Sequence, residues 1–232
     1  MRRRVSESGG SRTTAGRAAR LGGIGGILYV VLFIPAYIVG SPDAPNRAST
    51  DQGVFDYFAE GVGAFLFFNG VLTIFALFFL LWFLGALYGV LRSAEGEEEG
   101  GWLSSAALVG GIVFATLSYA GVAVEIVHPA TLSRFEDFEP DPQLVFMTLA
   151  LASWLYHFCQ VGTSVLATAT SLLALRTGIL PTWMAYVGFV VALLALLHFL
   201  IPLLGALAGL LWIAVVSVLM LTGSVGPSPA RR

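Results

Sequence analysis

The sequence predicts an all-α integral membrane protein, a bundle of six transmembrane helices with both termini in the cytoplasm. Composition, the lengths of the apolar runs and the placement of arginine all predict it. Of the 232 residues, 57% are hydrophobic and only 11% are charged, whereas soluble domains have about 45–50% apolar and about 25% charged residues. The mean hydropathy of +0.84 agrees. We therefore expect a multi-pass protein of the cell membrane, surrounded by membrane lipids.

Six apolar stretches have the length of membrane spans. A hydrocarbon core about 30 Å thick needs about 20 apolar helical residues. The predicted spans cover residues 21–40, 63–91, 102–127, 144–175, 183–201 and 205–222. The stretches are continuously apolar and do not alternate, so helices are predicted and not the strands of a barrel. A cleaved signal peptide is the alternative for the first stretch, but its leading tail is long and no clear cleavage site follows.

The last two spans come from a single uncharged run, residues 183–222. About 40 residues would form a helix of roughly 60 Å, which is two bilayer thicknesses. The run must therefore fold back on itself. Pro202 and Gly205 are the predicted break, because proline removes a helix hydrogen bond and glycine tolerates unusual dihedral angles.

Arginine placement predicts the orientation, because short cytoplasmic loops are enriched in basic residues. All twelve basic residues are arginine, which is typical of a GC-rich bacterial genome and suggests the inner membrane of a bacterium. With a cytoplasmic N-terminus, only Arg47 and Arg134 lie outside. The other ten lie inside: Arg2, Arg3, Arg4, Arg12, Arg17, Arg20, Arg92, Arg176, Arg231 and Arg232.

Two tails and a first outer loop flank the spans. Residues 1–20 and 223–232 are polar and are predicted to be cytoplasmic tails, the first of them disordered. In the first outer loop, Ser49 and Gln52 have the spacing of a capping box. The residues that follow predict a short amphipathic helix at the membrane surface, with a continuation of the second span as the alternative.

The second outer loop, residues 128–143, is rich in carboxylates. Their spacing matches no EF-hand, so a solvated acidic loop is predicted and not a calcium site. Asp141 followed by Pro142 is a good helix start, with an acidic N-cap and proline at the first helical position. The fourth span is longer than the bilayer requires and is expected to tilt or to project outwards.

Small residues recur at four-residue spacing within several spans, where they allow helix backbones to approach closely. Packing within the bundle is the predicted use. Homo-oligomerisation, or contact with a membrane-protein partner through the same faces, is the alternative. The sets are Gly22 and Gly26, Gly205 and Gly209, and Thr163, Ala167 and Ser171.

Ionisable residues inside the spans are the candidates for a functional site, because they are expensive to place in lipid. Glu125 and His198 are each expected about 3–6 Å below the outer boundary, a depth that allows an ion pair. His157 is expected about 12 Å deep, level with Asn69 and one turn from Gln160. These five residues predict a polar binding site in the outer half of the bundle, shaped as a funnel that narrows inwards.

Several chemistries compete for these polar residues. His157 and His198 could bind a haem as axial ligands, and with His128 and Glu125 they could form a zinc site. No paired metal motif supports either chemistry, so no cofactor, metal or catalytic residue is predicted. Cys159 is the single cysteine, which excludes an intrachain disulfide. No nucleotide-binding motif occurs, and the arginines explain topology, so no nucleic-acid partner is expected.

Two segments carry a resemblance to known sequences. The first reads Ala18-Ala19-Arg20-Leu21-Gly22-Gly23, and the second reads Leu175-Arg176-Thr177-Gly178-Ile179-Leu180-Pro181-Thr182-Trp183. Both are similar to segments of uncharacterised bacterial multi-span membrane families of unknown function, in which an Arg-x-Gly loop ends one helix and Leu-Pro-x-Trp opens the next. The resemblance implies a multi-span protein and carries no known activity.

Two classes of function remain after these exclusions. The first is a non-enzymatic accessory protein, scaffold or lipid-interacting bundle, in which polar residues satisfy one another. The second is a small transporter or permease-like protein for protons or a small solute, which would use the polar site in the outer half. A dry, closed core favours the first class, and a cavity that reaches His157 favours the second.

Overall fold

Every regular element in the described part of the chain is a helix. The computed structural model describes residues 7–40, 50, 52–53, 62–97, 100–135, 137, 139 and 141–225. The helices are α1 (Glu7–Gly40), α2 (Val62–Phe65, a π-helical stretch Leu66–Leu72, and Thr73–Glu95), α3 (Trp102–Glu125), α4 (Val127–Leu132), α5 (Pro142–Thr177), α6 (Thr182–Leu196) and α7 (Pro202–Thr222).

Five of these described helices are long and apolar enough to cross a membrane: α1, α2, α3, α5 and α7. They identify the chain as a membrane protein. Helix α6 is apolar but has only 15 residues. At a rise of 1.5 Å per residue it is about 22 Å long, shorter than a hydrocarbon core of about 30 Å. The prediction of six spans therefore holds for five helices, and the sixth stays a prediction.

The long helices and α6 pack side by side in a closed ring. Helix α2 packs against α1 and α3, α5 packs against α3 and α6, and α7 packs against α6 and returns to α1. Fully buried large side chains gather in the half of the bundle next to the α2–α3 and α5–α6 turns. They include Leu80, Phe83, Leu87, Leu103, Leu173, Met184, Trp212 and Met220. That half is a packed apolar core.

Glycines set the closest helix contacts within the bundle. Where α3 crosses α5, a Cβ atom on Gly162 would meet the carbonyl oxygen of Gly110 and the backbone of Phe114. A Cβ on Gly110 would in turn lie 2.7 Å from the Gly162 carbonyl oxygen. The two helix backbones therefore touch, which only glycine at both positions permits.

The predicted small-residue sets also pack inside the chain. Gly22 and Gly26 contact helices α2 and α7. Gly205 lies against Leu194 and His198 of its own hairpin, and Gly209 lies against Thr163. These contacts account for the small residues within one chain, and association between copies stays a prediction.

The ends of α5 agree with the local signals in the sequence. The Asp141 carboxylate accepts a hydrogen bond of 2.8 Å from the Gln143 backbone N–H, and Pro142 occupies the first helical position. Gly178 ends the helix in the left-handed conformation with φ of 67°. The helix extends two residues beyond the predicted span at each end.

Other helix ends differ from the prediction. Helix α6 ends at Leu196 and the chain turns through residues 197–201, so the break lies before Pro202 and not at Pro202–Gly205. Pro202 begins α7, where its missing N–H is not needed. Helix α1 begins at Glu7, inside the segment predicted to be disordered. The predicted surface helix after Gln52 falls largely on residues outside the described part.

Glu95, the last residue of α2, caps the next helix. Its two carboxylate oxygens accept hydrogen bonds of 2.9 Å from the backbone N–H groups of Leu103 and Ser104, in the first turn of α3. Negative charge is favourable at a helix N-terminus. This contact joins the end of α2 to the start of α3.

Candidate functional site

A cavity of about 450 Å³ occupies the half of the bundle opposite the apolar core. Its walls come from the second half of α1, the start of α2, the last turns of α3, the first half of α5 and the first turns of α7, together with the turn between α6 and α7. The exposed residues Tyr37, Ser153 and Pro202 are among those that line it. Small-molecule sites usually have volumes of about 300–1,000 Å³, so this space has the size of a ligand site.

The five predicted site residues all line this one cavity: Asn69, Glu125, His157, Gln160 and His198. Their role in binding stays a prediction. The depths differ from those expected, because His157 contacts His198 directly and so lies at its level. From Thr177, the end of α5, His157 is 20 residues away, or about 30 Å along the helix. This distance does not fit the assumption behind the expected depth, which was that α5 overhangs the bilayer equally at its two ends.

The Glu125 carboxylate pairs with a tyrosine, whereas the expected depths had allowed an ion pair with His198. The Tyr156 hydroxyl donates a hydrogen bond of 2.8 Å to Oε2 of Glu125 and joins α3 to α5. Glu125 is the last residue of α3. A carboxylate is unfavourable beside the partial negative charge of a helix C-terminus, so this position needs a compensating partner.

His157 and His198 form a direct pair, with 2.8 Å between their two Nδ1 atoms. One Nδ1 must carry the proton and the other must be bare, so at most one of the two rings can be an imidazolium. A metal bound at about 2.0–2.1 Å by each nitrogen, from opposite sides, needs the two atoms about 4 Å apart. The two Nδ1 atoms as placed therefore do not have the spacing of two ligands on opposite sides of one metal ion.

An aromatic cluster holds the histidine pair beside the surface. The rings of Trp154 and Phe199 stack with centroids 5.7 Å apart, and both meet the His157 ring edge-on at 5.6 and 5.4 Å. Trp154 and Phe199 are themselves exposed. Because Phe199 belongs to the α6–α7 turn and Trp154 belongs to α5, the cluster packs that turn against α5.

Of the four residues in the zinc alternative, His128 does not join the other three. His128 lies outside the cavity walls and forms a hydrogen bond of 2.9 Å through Nε2 with Thr148. Burial lowers the pKa of His128, which favours the neutral ring. Among the residues that the structure describes, no group of three or more His, Cys, Asp or Glu side chains could hold a metal ion.

Asn69 reaches the cavity from an irregular part of α2. It lies in the π-helical stretch Leu66–Leu72, and Thr73 directly after this stretch also lines the cavity. The Thr73 hydroxyl is 3.4 Å from the Phe68 carbonyl, five residues back. Short π-helical segments are frequent at functional sites, and the sequence pattern did not predict this one.

The wall formed by α5 contains a polar group that sequence analysis treated only as a small residue. The Thr163 hydroxyl is buried and has no hydrogen-bond partner among the described residues. Threonine in a helix can bond to a carbonyl of the preceding turn, but the Thr163 hydroxyl does not. A buried polar group without a partner costs about 1–3 kcal/mol of stability. The oxygen of this hydroxyl is fully buried within the wall, so a solute in the cavity would not reach it without a rearrangement.

A helical face was the available signal for the α5 wall residues that were missed. Ser153, Tyr156 and Thr163 form one series with the predicted Gln160, at intervals of three or four residues, and all four line the cavity. Polar residues at this spacing in a span indicate an inward face. The partner of Glu125 could not be inferred in this way, because it belongs to another helix.

Helix α1 contributes a column of aromatic rings to the opposite wall. Tyr29, Phe33 and Tyr37 are four residues apart, with ring centroids separated by 5.5 and 6.3 Å. Tyr29 is 1% exposed and Tyr37 is 42% exposed. The column therefore runs from the buried interior of the bundle towards its surface.

The described walls contain one acidic side chain and no basic side chain other than the two histidines. Glu125 is the only carboxylate among the described residues that line the cavity, and none of them is arginine. No protein-family model, curated protein or solved structure matches this chain.

Proposed function

We propose that this chain is a permease-like membrane protein that binds a small solute in the cavity between its helices. The observation that carries the proposal is the convergence of Glu125, the His157–His198 pair and Gln160 on one space of about 450 Å³. Protein interiors contain few voids larger than a water molecule. A void of this size with polar walls has a direct use in binding a solute.

The proposed topology has six spans with both termini in the cytoplasm. Helix α6 and the turn at residues 197–201 together form the fifth span, and α7 returns as the sixth. Arg92 and Arg176 lie at the ends of α2 and α5, at the end of the bundle away from the cavity. By the positive-inside rule that end is cytoplasmic, so the cavity faces the outer side of a bacterial inner membrane.

A scaffold or accessory bundle is the second candidate. The direct backbone contact between Gly110 and Gly162 favours it, because helices α3 and α5 cannot slide past each other without breaking that contact. A scaffold, however, has no use for an accessible polar cavity. Access to the cavity therefore separates the two candidates.

Thiol labelling from the outside tests the proposed function. In a Cys159→Ser background, Ser153→Cys places a thiol on the cavity wall, while Phe158→Cys places one at an exposed position outside that wall. With the anionic, membrane-impermeant reagent 2-sulfonatoethyl methanethiosulfonate on intact cells, we expect the first thiol to react at least ten times faster.

Equal rates for the two thiols would contradict the proposed function and favour the scaffold. Fast reaction of Ser153→Cys in inverted membrane vesicles alone would retain the cavity and reverse the proposed orientation. Phe158→Cys is the matched control, because it lies on the same helix five residues away and is 54% exposed in the unsubstituted chain.

A further inference from the structure

We infer that the solute bound in this cavity is an organic cation with an aromatic or apolar body, held with its charged group at Glu125. The inference rests on the proposed function and specifies its ligand. It combines two features of the walls: the carboxylate of Glu125 beside Tyr156 and the ring column of α1.

Negative charge is concentrated where α3 ends. The carboxylate of Glu125 adds to the partial negative charge at the C-terminus of α3. Tyr156 occupies one acceptor position of this carboxylate, which has about four. The remaining positions suit an ammonium group, which has only donors to offer.

Aromatic rings supply the second part of a cation site. The faces of tyrosine and phenylalanine attract cations through their quadrupole, most strongly where water is excluded. Tyr29, Phe33 and Tyr37 present three rings on one wall, and Tyr156 presents a fourth beside Glu125. Such a wall also packs well against an apolar or aromatic body.

The histidine pair does not oppose a bound cation. The hydrogen bond between the Nδ1 atoms of His157 and His198 forms between two neutral rings of opposite tautomer, so it requires no positive charge in the cavity wall. The start of α7 at Pro202 also borders the cavity, and helix N-termini attract anions. An anionic probe is therefore needed in the test.

Three probes with the same aromatic body test the inference at pH 7.5 with the purified full-length chain in detergent. They are phenethylammonium, 2-phenylethanol and 3-phenylpropionate, which carry a positive, a neutral and a negative head. By isothermal titration calorimetry, we expect phenethylammonium to bind at least tenfold more tightly than the alcohol and the carboxylate to bind more weakly than both.

Glu125→Gln removes the charge and retains a side chain of the same shape. We expect the affinity for phenethylammonium to fall at least tenfold, to the level of the alcohol, and the affinity for the alcohol to stay the same. Glu139→Gln is the matched control, since Glu139 is exposed in the loop after α4. Phe33→Leu is a second variant, and it should weaken binding of the amine more than binding of the alcohol.

Equal affinity for amine and alcohol, tighter binding of the carboxylate, or no binding of the amine overturns the inference. A preference for the amine that persists in Glu125→Gln also overturns it. The proposed function has a separate test. If Ser153→Cys is labelled fast but the amine is not preferred, the inference of a cationic ligand is wrong and the proposed solute cavity still stands.

Discussion

Replacing Gly162 with leucine is expected to abolish the folded bundle. Even the first added carbon would meet the carbonyl oxygen of Gly110 and the backbone of Phe114 on α3. Backbone atoms cannot move aside as a flexible side chain can. Overpacking a core typically costs about 1–3 kcal/mol, occasionally more, and a clash between two helix backbones belongs at the upper end of that range. Little monodisperse protein should be recovered by size-exclusion chromatography in detergent.

Gly89→Leu is the matched control for this substitution. Gly89 is an exposed glycine of α2, and a Cβ atom there would have no neighbour within 4 Å. We expect this variant to be recovered like the unsubstituted chain, with a thermal midpoint within a few degrees of it. Normal recovery and midpoint for Gly162→Leu would show that α3 and α5 do not cross at these glycines.

Replacing Ala206 with phenylalanine is expected to eliminate solute binding while the bundle stays folded. Ala206 lines the cavity from α7 and is only partly buried. Its new ring would occupy space that the solute needs and would not enter the packed core. The affinity for phenethylammonium, measured by calorimetry, should fall more than tenfold, and the thermal midpoint should change little.

Leu207→Phe adds a ring at the neighbouring position of the same helix. Leu207 is 42% exposed and is not part of the cavity wall. This control should bind the amine as the unsubstituted chain does. If Ala206→Phe retained its affinity, the solute site would lie outside this cavity.

The long helices could be predicted because their signals are local. Span length follows from continuous apolar runs, and the ends of α5 follow from Asp141, Pro142 and Gly178, whose preferences act within a few residues. The end of α6 at Leu196 had no such signal. The turn at residues 197–201 contains no glycine or proline, and the apolar run continues through it.

Proline has two roles that the sequence alone does not separate. Inside a helix it breaks a hydrogen bond, but at the first position it is well suited to begin one. Pro202 was predicted as part of the break and instead begins α7. Pro35 lies inside α1, near its end, so a proline in this chain does not always end a helix.

The residues around the candidate site could be predicted better than their pairing. Desolvation requires Glu125, His157 and His198 to avoid lipid, and all three line the cavity. Depth along a helix gives a level but not a direction around the axis. Depth alone could therefore not show that Glu125 pairs with Tyr156 and that His198 pairs with His157. Thr163 was overlooked because a small residue in a span has an adequate role in packing.

The central claim is that a solute occupies the cavity lined by Ser153, Glu125 and Thr163, and protection from labelling tests it most directly. The rate at which Ser153→Cys reacts with 2-sulfonatoethyl methanethiosulfonate would be measured with and without saturating phenethylammonium. We predict that the amine slows labelling at least tenfold, with half-protection at the dissociation constant found by calorimetry. An unchanged rate at saturating amine would contradict the claim, because the solute would then bind elsewhere.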